Sequence, residues 1–456
     1  MKTNTKTKRS PVLTHEGGKA QCVTPYEELR RAVLTCMLWE DTFYEKGSTL
    51  AERIISLVQS LPADKVAALA IEARNEMQLR HVPLFLVRQL ARIKGNGILV
   101  ADTLEEIIQR TDEITEFVSM YWMDGRQPLS AGVKRGLAKA FQRFNDYQLA
   151  KYNRDETVKL RDVLFLCHAK PKDQEQEATW KALINGTLQP ADTWEVALSS
   201  GKDKKETFER LLKEGKLGGM AVLRNLRNML EVGVNTKLIK DRLSDGIQRA
   251  LPFRFITAAK HAPDLEKEIE HAMFLSLKQM PLLKGRTLLV VDISGSMQET
   301  LSGKSEITRQ DTAAGLAILI QEICEESVIY ATAGNDTAQI HATARVPSRN
   351  GFALKDAIGR MNDKLGGGGI FLKQCMDFIF EDRPTNNSFD RVIIITDEQD
   401  CDRSNAAMTA RLLGKTNYII NIGNYDRAIG YGNGWTHING WSERVIDYIQ
   451  TVEKEQ

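Results

Sequence analysis

The chain has 456 residues, of which 42% are hydrophobic and 27% charged, and its formal net charge is +2. This length exceeds what one compact core usually contains, so two or three domains are expected. Residues 1–280 hold 44 basic and 37 acidic side chains, whereas residues 281–456 hold 18 and 23. A basic first part joined to an acidic second part favours an anionic partner for the first, although chance scatter gives the same difference.

The ends and the cysteines exclude several classes of protein. Residues 1–10 are basic and polar, and no apolar stretch follows them, which argues against a secretory signal and predicts a flexible basic tail over residues 1–23. No run is long enough to span a membrane, so no membrane partner is expected. The six cysteines are widely spaced and form no C-x-x-C pair, which indicates reduced thiols and a cytoplasmic location.

Residues 24–283 have a helical pattern. Apolar residues recur at helical spacing, acidic residues or proline stand at several helix starts, and short breaks with Pro, Gly or Asn separate the segments. This pattern predicts an all-α, HEAT-like helical-repeat domain in which helices stack in pairs. The clearest predicted helices are Pro25–Leu34, Ala63–Ala73, Leu104–Trp122, Ala131–Tyr147 and Met220–Leu230.

Residues 284–456 have a different pattern, in which short continuous apolar strands alternate with helices. Strands that are apolar on both faces predict an α/β doubly wound, Rossmann-like parallel sheet. Ligands bind such sheets at the carboxyl ends of the strands. The predicted strands are 287–291, 328–332, 391–396 and 418–422, and the predicted helices are 307–324, 351–361, 371–380 and 406–413.

A candidate metal site follows two of these strands. Asp292, Ser294 and Ser296 form D-x-S-x-S after the first strand, and Asp397 follows a later one. Carboxylate and hydroxyl oxygens are hard ligands that suit Mg²⁺. Together these residues resemble the metal-ion-dependent adhesion site of von Willebrand factor A domains, whose loop between the two motifs usually adds a threonine.

That threonine is replaced here by glycine, since the loop reads Leu365-Gly366-Gly367-Gly368-Gly369-Ile370. Three alternatives stay open: the loop supplies backbone or water ligands, the site is degenerate, or the polar groups only cap the helix that follows. We expect a divalent cation, Mg²⁺, as the cofactor.

The most informative part of the helical domain is residues 130–172. Four cations recur at helical spacing in its first helix, and aromatic residues stand among the basic ones further along. Such a face neutralises RNA phosphates and stacks unpaired bases, although a solvated helix face is the commoner reason for any single basic residue. The candidate RNA-binding residues from charge and spacing are Lys134, Arg135, Lys139, Arg143 and Lys170.

Four segments in this order, S-A-G-V-K-R-G-L, Y-Q-L-A-K-Y-N, L-R-D-V-L-F-L-C-H-A-K-P and L-R-N-L-R-N-M-L, resemble the TROVE domain of Ro proteins. The resemblance implies a helical ring, residues 24–283, closed by a von Willebrand factor A-like domain, residues 284–456. It also implies Y RNA bound on the outer basic surface, with Lys151 and His168 at family contact positions. Further implications are single-stranded ends of misfolded RNA in the ring's hole and an exoribonuclease partner. We expect a monomer.

Three functions therefore compete. The first is a non-enzymatic RNA-binding protein of RNA quality control or nuclease tethering. The second is a protein-interaction module in which a metal at Asp292, Ser294 and Ser296 captures a partner's carboxylate. The third is a metal-dependent hydrolytic or phosphoryl-transfer enzyme, for which Asp397 and Glu398 are the only nearby bases. An open basic face over 130–172 favours the first, and burial of its cations in salt bridges favours the second.

Overall fold

The computed structural model describes residues 13–14, 16–17, 24–34, 47–199, 201–247, 250, 252–278, 280, 282–303, 305–382, 388–403, 410–423, 425, 429, 434–441 and 444–454. They form two compact units. The sheet unit comprises Met1–Leu50, Arg249–Thr257 and Met273–Gln456, and the helical unit comprises Ala51–Gln248 and Ala258–Ala272. The predicted tail over residues 1–23 lies largely outside the described residues, and the predicted boundary at 283/284 stays a prediction.

Within the described residues, sixteen α-helices precede the first strand. They are α1 Pro25–Leu34, α2 Gly47–Ser60, α3 Ala63–Asn75, α4 His81–Leu90, α5 Gly97–Ile107, α6 Asp112–Tyr121, α7 Ala131–Phe141, α8 Asp146–Tyr152, α9 Leu160–Cys167, α10 Gln174–Asn185, α11 Trp194–Ser199, α12 Lys204–Lys213, α13 Gly219–Glu231, α14 Thr236–Ser244, α15 Pro252–His261 and α16 Glu266–Leu277. None of the described helices combines the length and hydrophobicity that crossing a bilayer requires.

Alternate helices of the helical unit pack beside one another. Helix α3 contacts α5, α5 contacts α7, and α7 contacts α9, while α4 contacts α6 in a second row. Contacts of α3 with α4 and of α6 with α7 join the two rows. Two rows of alternating helices are what a stack of helix pairs produces. The predicted helical-repeat architecture is therefore confirmed.

The closest approach in this stack is between α5 and α7, and two glycines of α7 permit it. A Cβ atom at Gly132 would overlap the backbone carbonyl oxygen of Gly97. A Cβ atom at Gly136 would lie 2.8 Å from the carbonyl oxygen of Ala101. Small residues four positions apart present backbone on one helix face, so the two helix backbones nearly touch. This contact accounts for the spacing of the glycines in the motif A-G-V-K-R-G-L.

Two predicted helices are each divided into two shorter ones. The predicted helix Leu104–Trp122 is interrupted between α5 and α6, where the buried Glu113 carboxylate accepts hydrogen bonds from the N–H groups of Gln109 and Arg110 at 2.9 and 3.0 Å. The same carboxylate is paired with Arg74 at 2.9 Å. A buried charge needs such partners, and they fix the chain reversal that the apolar spacing did not reveal.

The predicted helix Ala131–Tyr147 also ends early, at Phe141, and α8 begins anew at Asp146. Asn145 starts α8 because its side chain accepts a hydrogen bond from the N–H of Gln148, whose side chain accepts one in return from the N–H of Asn145. This reciprocal capping box is a helix start signal.

A six-stranded sheet in the order β3-β2-β1-β4-β5-β6 forms the core of the sheet unit. Its strands are β1 Leu283–Asp292, β2 Cys324–Asn335, β3 Ile340–Arg345, β4 Phe389–Thr396, β5 Gly414–Asn421 and β6 Thr436–Asn439. All neighbouring pairs are parallel except β2 with β3. The predicted doubly wound sheet is confirmed, but the two edge strands β3 and β6 were not predicted. They are short and partly exposed, so they lack the continuous apolar run that identifies central strands.

Four helices accompany the sheet in the described residues: α17 Arg309–Ile323, α18 Gly351–Leu365, α19 Leu372–Asp382 and α20 Arg444–Lys454. The predicted helix 406–413 falls mainly outside the described residues, and 410–413 carry no helix. The chain leaves central strand β1 towards β2 and later returns on its other side to β4. The carboxyl ends of β1 and β4 therefore flank the point where the strand order reverses, which is the usual ligand position in this architecture.

Replacing Gly132 with alanine tests the α5–α7 contact. Alanine favours helix by about 1 kcal/mol over glycine, yet here the added methyl group meets the Gly97 carbonyl, so we expect a net loss of about 1–3 kcal/mol in the free energy of unfolding. The measurement is urea denaturation followed by circular dichroism. Gly359→Ala on exposed α18, where nothing lies within 4 Å, is the matched control and should gain about 0.5–1 kcal/mol. A gain in both variants would contradict the close contact.

Candidate metal centre and nucleic-acid interface

Strands β1 and β4 bring the two predicted carboxylates to the same edge of the sheet. Val291 of β1 pairs in register with Ile395 of β4, so Asp292 and Thr396 end neighbouring strands. The Asp292 carboxylate is fully buried and accepts hydrogen bonds from the Ser294 N–H at 2.8 Å and from the Thr396 hydroxyl at 2.7 Å. Thr396 is a site residue that sequence reasoning missed, although it stands directly before Asp397.

The two serines of the D-x-S-x-S motif also converge. Their hydroxyl oxygens lie 3.4 Å apart, and the carbonyl oxygen of Ser296 accepts a hydrogen bond from the Arg309 guanidinium at 2.8 Å. Arg309, buried at the start of α17, is 3.7 Å from the Asp397 carboxylate. No sequence pattern points to Arg309, because one arginine at a helix start has many ordinary uses.

The electrostatics of this cluster favour a bound cation. Burial, together with the nearby charge of Asp397, raises the pKa of Asp292 to about 7. Burial also raises the pKa of Asp397, and Arg309 partly opposes that increase. One oxygen of Asp397, Oδ2, has no hydrogen-bond partner among the described residues although it is buried. The site therefore offers two buried carboxylates, one of which has an unsatisfied oxygen, and two adjacent hydroxyls. This donor set fits a hard divalent cation.

The glycine loop between the motifs cannot add a side-chain ligand. A Cβ atom at Gly368 would overlap the Gly334 carbonyl oxygen, and one at Gly369 would overlap the Cys401 thiol sulfur. The Gly367 carbonyl oxygen lies close to Gly295 of the first motif. A Cβ atom at Gly295 would be 2.8 Å from that oxygen. The loop thus approaches the site with backbone alone, and the three alternatives of backbone or water ligands, a degenerate site and helix capping stay predictions.

Glu398, which was considered as a base, is already paired on both oxygens. It is fully buried and lies 2.7 Å from the Arg31 guanidinium of α1 and 2.7 Å from Nδ1 of His437 on β6. Its burial opposes ionisation, but these two groups hold the pKa of Glu398 below its ordinary value. Its φ of +59° is in the left-handed region. Within the described residues, no three His, Cys, Asp or Glu side chains converge as metal ligands, so the site depends on its hydroxyls.

The predicted basic residues of 130–172 divide into two groups. Lys139 pairs with Asp102 and Glu105 of α5, at 3.1 and 2.7 Å, and Arg143 donates to the Glu105 carbonyl oxygen. Lys151 lies 3.9 Å from Glu195 and 5.4 Å from the centre of the Tyr152 ring. These three are partly used by the fold.

The second group comprises Lys134, Arg135, His168 and Lys170, and we call it the open basic face. Arg135, His168 and Lys170 are exposed and Lys134 is half-buried, and none of the four forms an ion pair with a described residue. The two helices that carry these residues are neighbours: α7 packs against α9, and the Gln142 side chain of α7 donates to the Lys170 carbonyl oxygen at 2.8 Å. His168 ends α9 with a φ of +53°, which turns the chain towards Lys170.

A further cationic cluster surrounds the Tyr152 ring and was only partly anticipated. Arg110 lies 4.9 Å and Arg154 5.9 Å from the ring centre, in addition to Lys151. Arg110 comes from the turn between α5 and α6, so no sequence pattern links it to Tyr152. Its guanidinium is also bound to Asp112 at 2.9 Å.

Comparison with known proteins gives three findings. The TROVE domain family matches residues 185–343, from the end of α10 to β3. Over 89 residues the chain is 37% identical to telomerase protein component 1 of Mus musculus and 36% identical to that of Rattus norvegicus. These matches take in 18% of this chain but 3% of each relative, so the chain spans a small part of their length.

The third finding is a structural match to the crystal structure of the Deinococcus radiodurans Ro (Rsr) protein. The TM-score is 0.61, the sequence identity is 14%, and the match covers 94% of this chain and 99% of that chain. The chain thus contains a segment that matches the TROVE domain family, and it shares the fold of a Ro protein. The structural likeness concerns the fold alone, and the TROVE match does not extend over the open basic face.

Replacing Arg31 with methionine tests how the metal-site loop is held. Glu398 would stay buried and lose one of its two partners, and removing one member of a buried pair costs about 3–5 kcal/mol. We expect a loss near the lower figure, because His437 remains. The measurement is urea denaturation of the full chain. Lys364→Met on the exposed side of α18 is the control and should change stability by less than about 0.5 kcal/mol. Equal effects of the two changes would rule out a structural role for the Arg31–Glu398 pair.

Proposed function

We propose that this protein binds RNA through the open basic face of α7 and α9. The observation that carries the proposal is the set of four cationic or ionisable side chains, Lys134, Arg135, His168 and Lys170, which no acidic side chain among the described residues neutralises. Acidic side chains are available to neutralise cations on α7, since Lys139 pairs with two of them on α5. The four residues of the open basic face have no such partner among the described residues. Unneutralised cations grouped on one surface attract a polyanion.

The finer proposal concerns which RNA is bound. Family resemblance favours a small, structured, Y-like RNA on this outer surface, with Lys151 and His168 as contacts, and single-stranded ends of misfolded RNA as a second class. Support for His168 is its exposure, and support for Lys151 is its partial exposure beside the Tyr152 ring. The same proposal includes a role in RNA quality control or in tethering an exoribonuclease through the RNA. It also includes that the protein is non-enzymatic, monomeric and cytoplasmic.

Salt dependence tests the RNA proposal. Removing three cations by Lys134→Ala, Arg135→Ala and Lys170→Ala together should weaken binding of a structured hairpin RNA. The slope of log affinity against log salt should fall by roughly 0.7–0.9 for each cation that neutralises a phosphate. The measurement is fluorescence anisotropy at several salt concentrations.

The matched control removes three exposed lysines that also form no ion pair with a described residue, Lys202, Lys204 and Lys205 at the start of α12. Both triple variants carry the same net charge. If both lose affinity and slope equally, the attraction is general and the proposed face is wrong. Lys151→Ala with His168→Ala, measured in the same way, separates the contacts inferred from the family from those inferred from charge.

We also propose that the site of Asp292, Ser294, Ser296 and Asp397 binds a divalent cation, with Mg²⁺ as the natural ion. The unsatisfied Oδ2 atom of Asp397 and the raised pKa values of both buried carboxylates support this. Asp292, Ser294, Ser296 and Asp397 would hold such an ion, and the glycine loop would add no side-chain ligand to it. A second function, capture of a partner protein's carboxylate at that ion, rests on this feature.

Metal titration tests the site. With Mn²⁺ as a paramagnetic substitute, we expect one bound ion per chain by electron paramagnetic resonance and an increase in thermal stability on adding Mg²⁺ that EDTA reverses. Asp292→Asn and Ser294→Ala should each abolish the bound Mn²⁺ signal, because each removes an oxygen ligand or its charge. Asp356→Asn, on exposed α18, is the control. Unchanged stoichiometry in Asp292→Asn would show that the ion binds elsewhere.

A further inference from the structure

The exposed side of α9 carries an aromatic ring among cations. Phe165 is 59% exposed, which makes it one of the most exposed large apolar side chains in the described residues. Arg161 lies one helical turn before it and His168 nearly one turn after it, and both are exposed. The opposite side of the helix is buried through Leu160, Val163 and Leu164. The helix thus has a complete core face, and Phe165 is not needed there.

The Phe165 ring is free of stacking partners among the described residues. Within the described part of the chain, no aromatic ring and no cationic group stacks on it, in contrast to Tyr152, which is covered by Arg110, Lys151 and Arg154. A single exposed apolar residue is common and by itself indicates nothing. What distinguishes Phe165 is its position between two potential phosphate contacts on α9, the helix that packs against α7 and ends at His168 of the open basic face.

We propose that Phe165 is a stacking platform for an unpaired RNA base, with Arg161 and His168 holding the phosphates on either side. The proposal rests on the proposed RNA binding and narrows it to a loop or a single-stranded end. Every base has a flat face that stacks on an aromatic ring, whereas the bases of a duplex are stacked on one another and cannot lie on an exposed side chain. Cations at both ends of the ring favour a nucleic-acid occupant over an apolar protein segment.

The second exposed aromatic residue of this region follows the same pattern. Tyr147 of α8 is 50% exposed, with Lys151 one turn further along the helix and Arg154 two residues past its end. Two consecutive helices therefore each carry an exposed aromatic ring with basic residues nearby in the sequence. This repetition extends the proposal to a second base, and we place the first test on Phe165, because Lys151 and Arg154 are already partly engaged.

The experiment compares variants of the full chain on a single-stranded oligouridine of about twelve nucleotides, a length within the usual range for single-strand sites. Phe165→Ala should weaken binding about fivefold or more while the salt slope stays unchanged, because stacking is not ionic. Phe165→Trp should bind about as well as the wild-type protein, because tryptophan also has a flat ring. Phe165→Leu should bind as weakly as Phe165→Ala, because leucine is apolar but not flat. Ile340→Ala, which removes a side chain of similar exposure (56%) in the sheet unit, is the control.

An abasic scan identifies the stacked base. In the wild-type protein, one abasic position should cost about as much as Phe165→Ala, and the two changes combined should cost little more than either alone. Additive losses, full rescue by leucine, or unchanged affinity of Phe165→Ala would each overturn the stacking site. If the triple variant of Lys134, Arg135 and Lys170 weakens binding but Phe165→Ala does not, only this inference fails. If neither change has an effect, the proposed RNA-binding function fails.

Discussion

Two negatively charged groups buried side by side, the carboxylates of Asp292 and Asp397, impose the main electrostatic constraint on the sheet unit. Parallel pairing of β1 with β4 places them at one edge, and the pKa of each is raised by burial. The polar groups around this pair are the Thr396 hydroxyl, the two serine hydroxyls and the Arg309 guanidinium. A buried like-charged pair is costly unless a positive group or a proton offsets it, and Arg309, 3.7 Å from the Asp397 carboxylate, is one such positive group.

The helical unit has a different constraint, which is backbone proximity. Gly132 and Gly136 let α7 lie against α5, and this sets which cations can reach a partner. Lys139 and Arg143, on the side facing α5, are drawn into contacts with that helix. Lys134 is half-buried on the same helix and forms no ion pair with a described residue. The division between structural and available cations therefore follows from helix geometry, not from charge density alone.

Sequence reasoning identified most of what depends on periodicity and on motifs. Continuous apolar runs such as 391–396 revealed the central strands, and D-x-S-x-S after such a run placed Asp292 correctly at the sheet edge. It could not reveal contacts between distant segments. The pairing of Arg31 with Glu398 joins residues 367 positions apart, and no local pattern predicts it. The helix break near Glu113 was missed for the same reason, since Arg74 lies 39 residues away.

The same limit applied to the basic residues. Helical spacing showed that Lys134, Lys139 and Arg143 share a helix, but their availability depends on what the neighbouring helix offers, and Asp102 and Glu105 were not considered as partners. Short edge strands such as β6 are partly exposed, so they need no continuous apolar run. The four residues of β6 therefore show no pattern that predicts a strand.

The sheet unit is discontinuous in sequence: α1 is at one end of the chain, β6 near the other, and nearly the whole helical unit is inserted between α1 and β1. During synthesis, Arg31 leaves the ribosome long before Glu398 and His437 exist. The helical unit has mostly local helix contacts and is able to fold while the chain is still growing, whereas the sheet unit has to wait for its last strands. A ribosome that stalls late would therefore release a chain with a folded helical unit and an incomplete sheet unit.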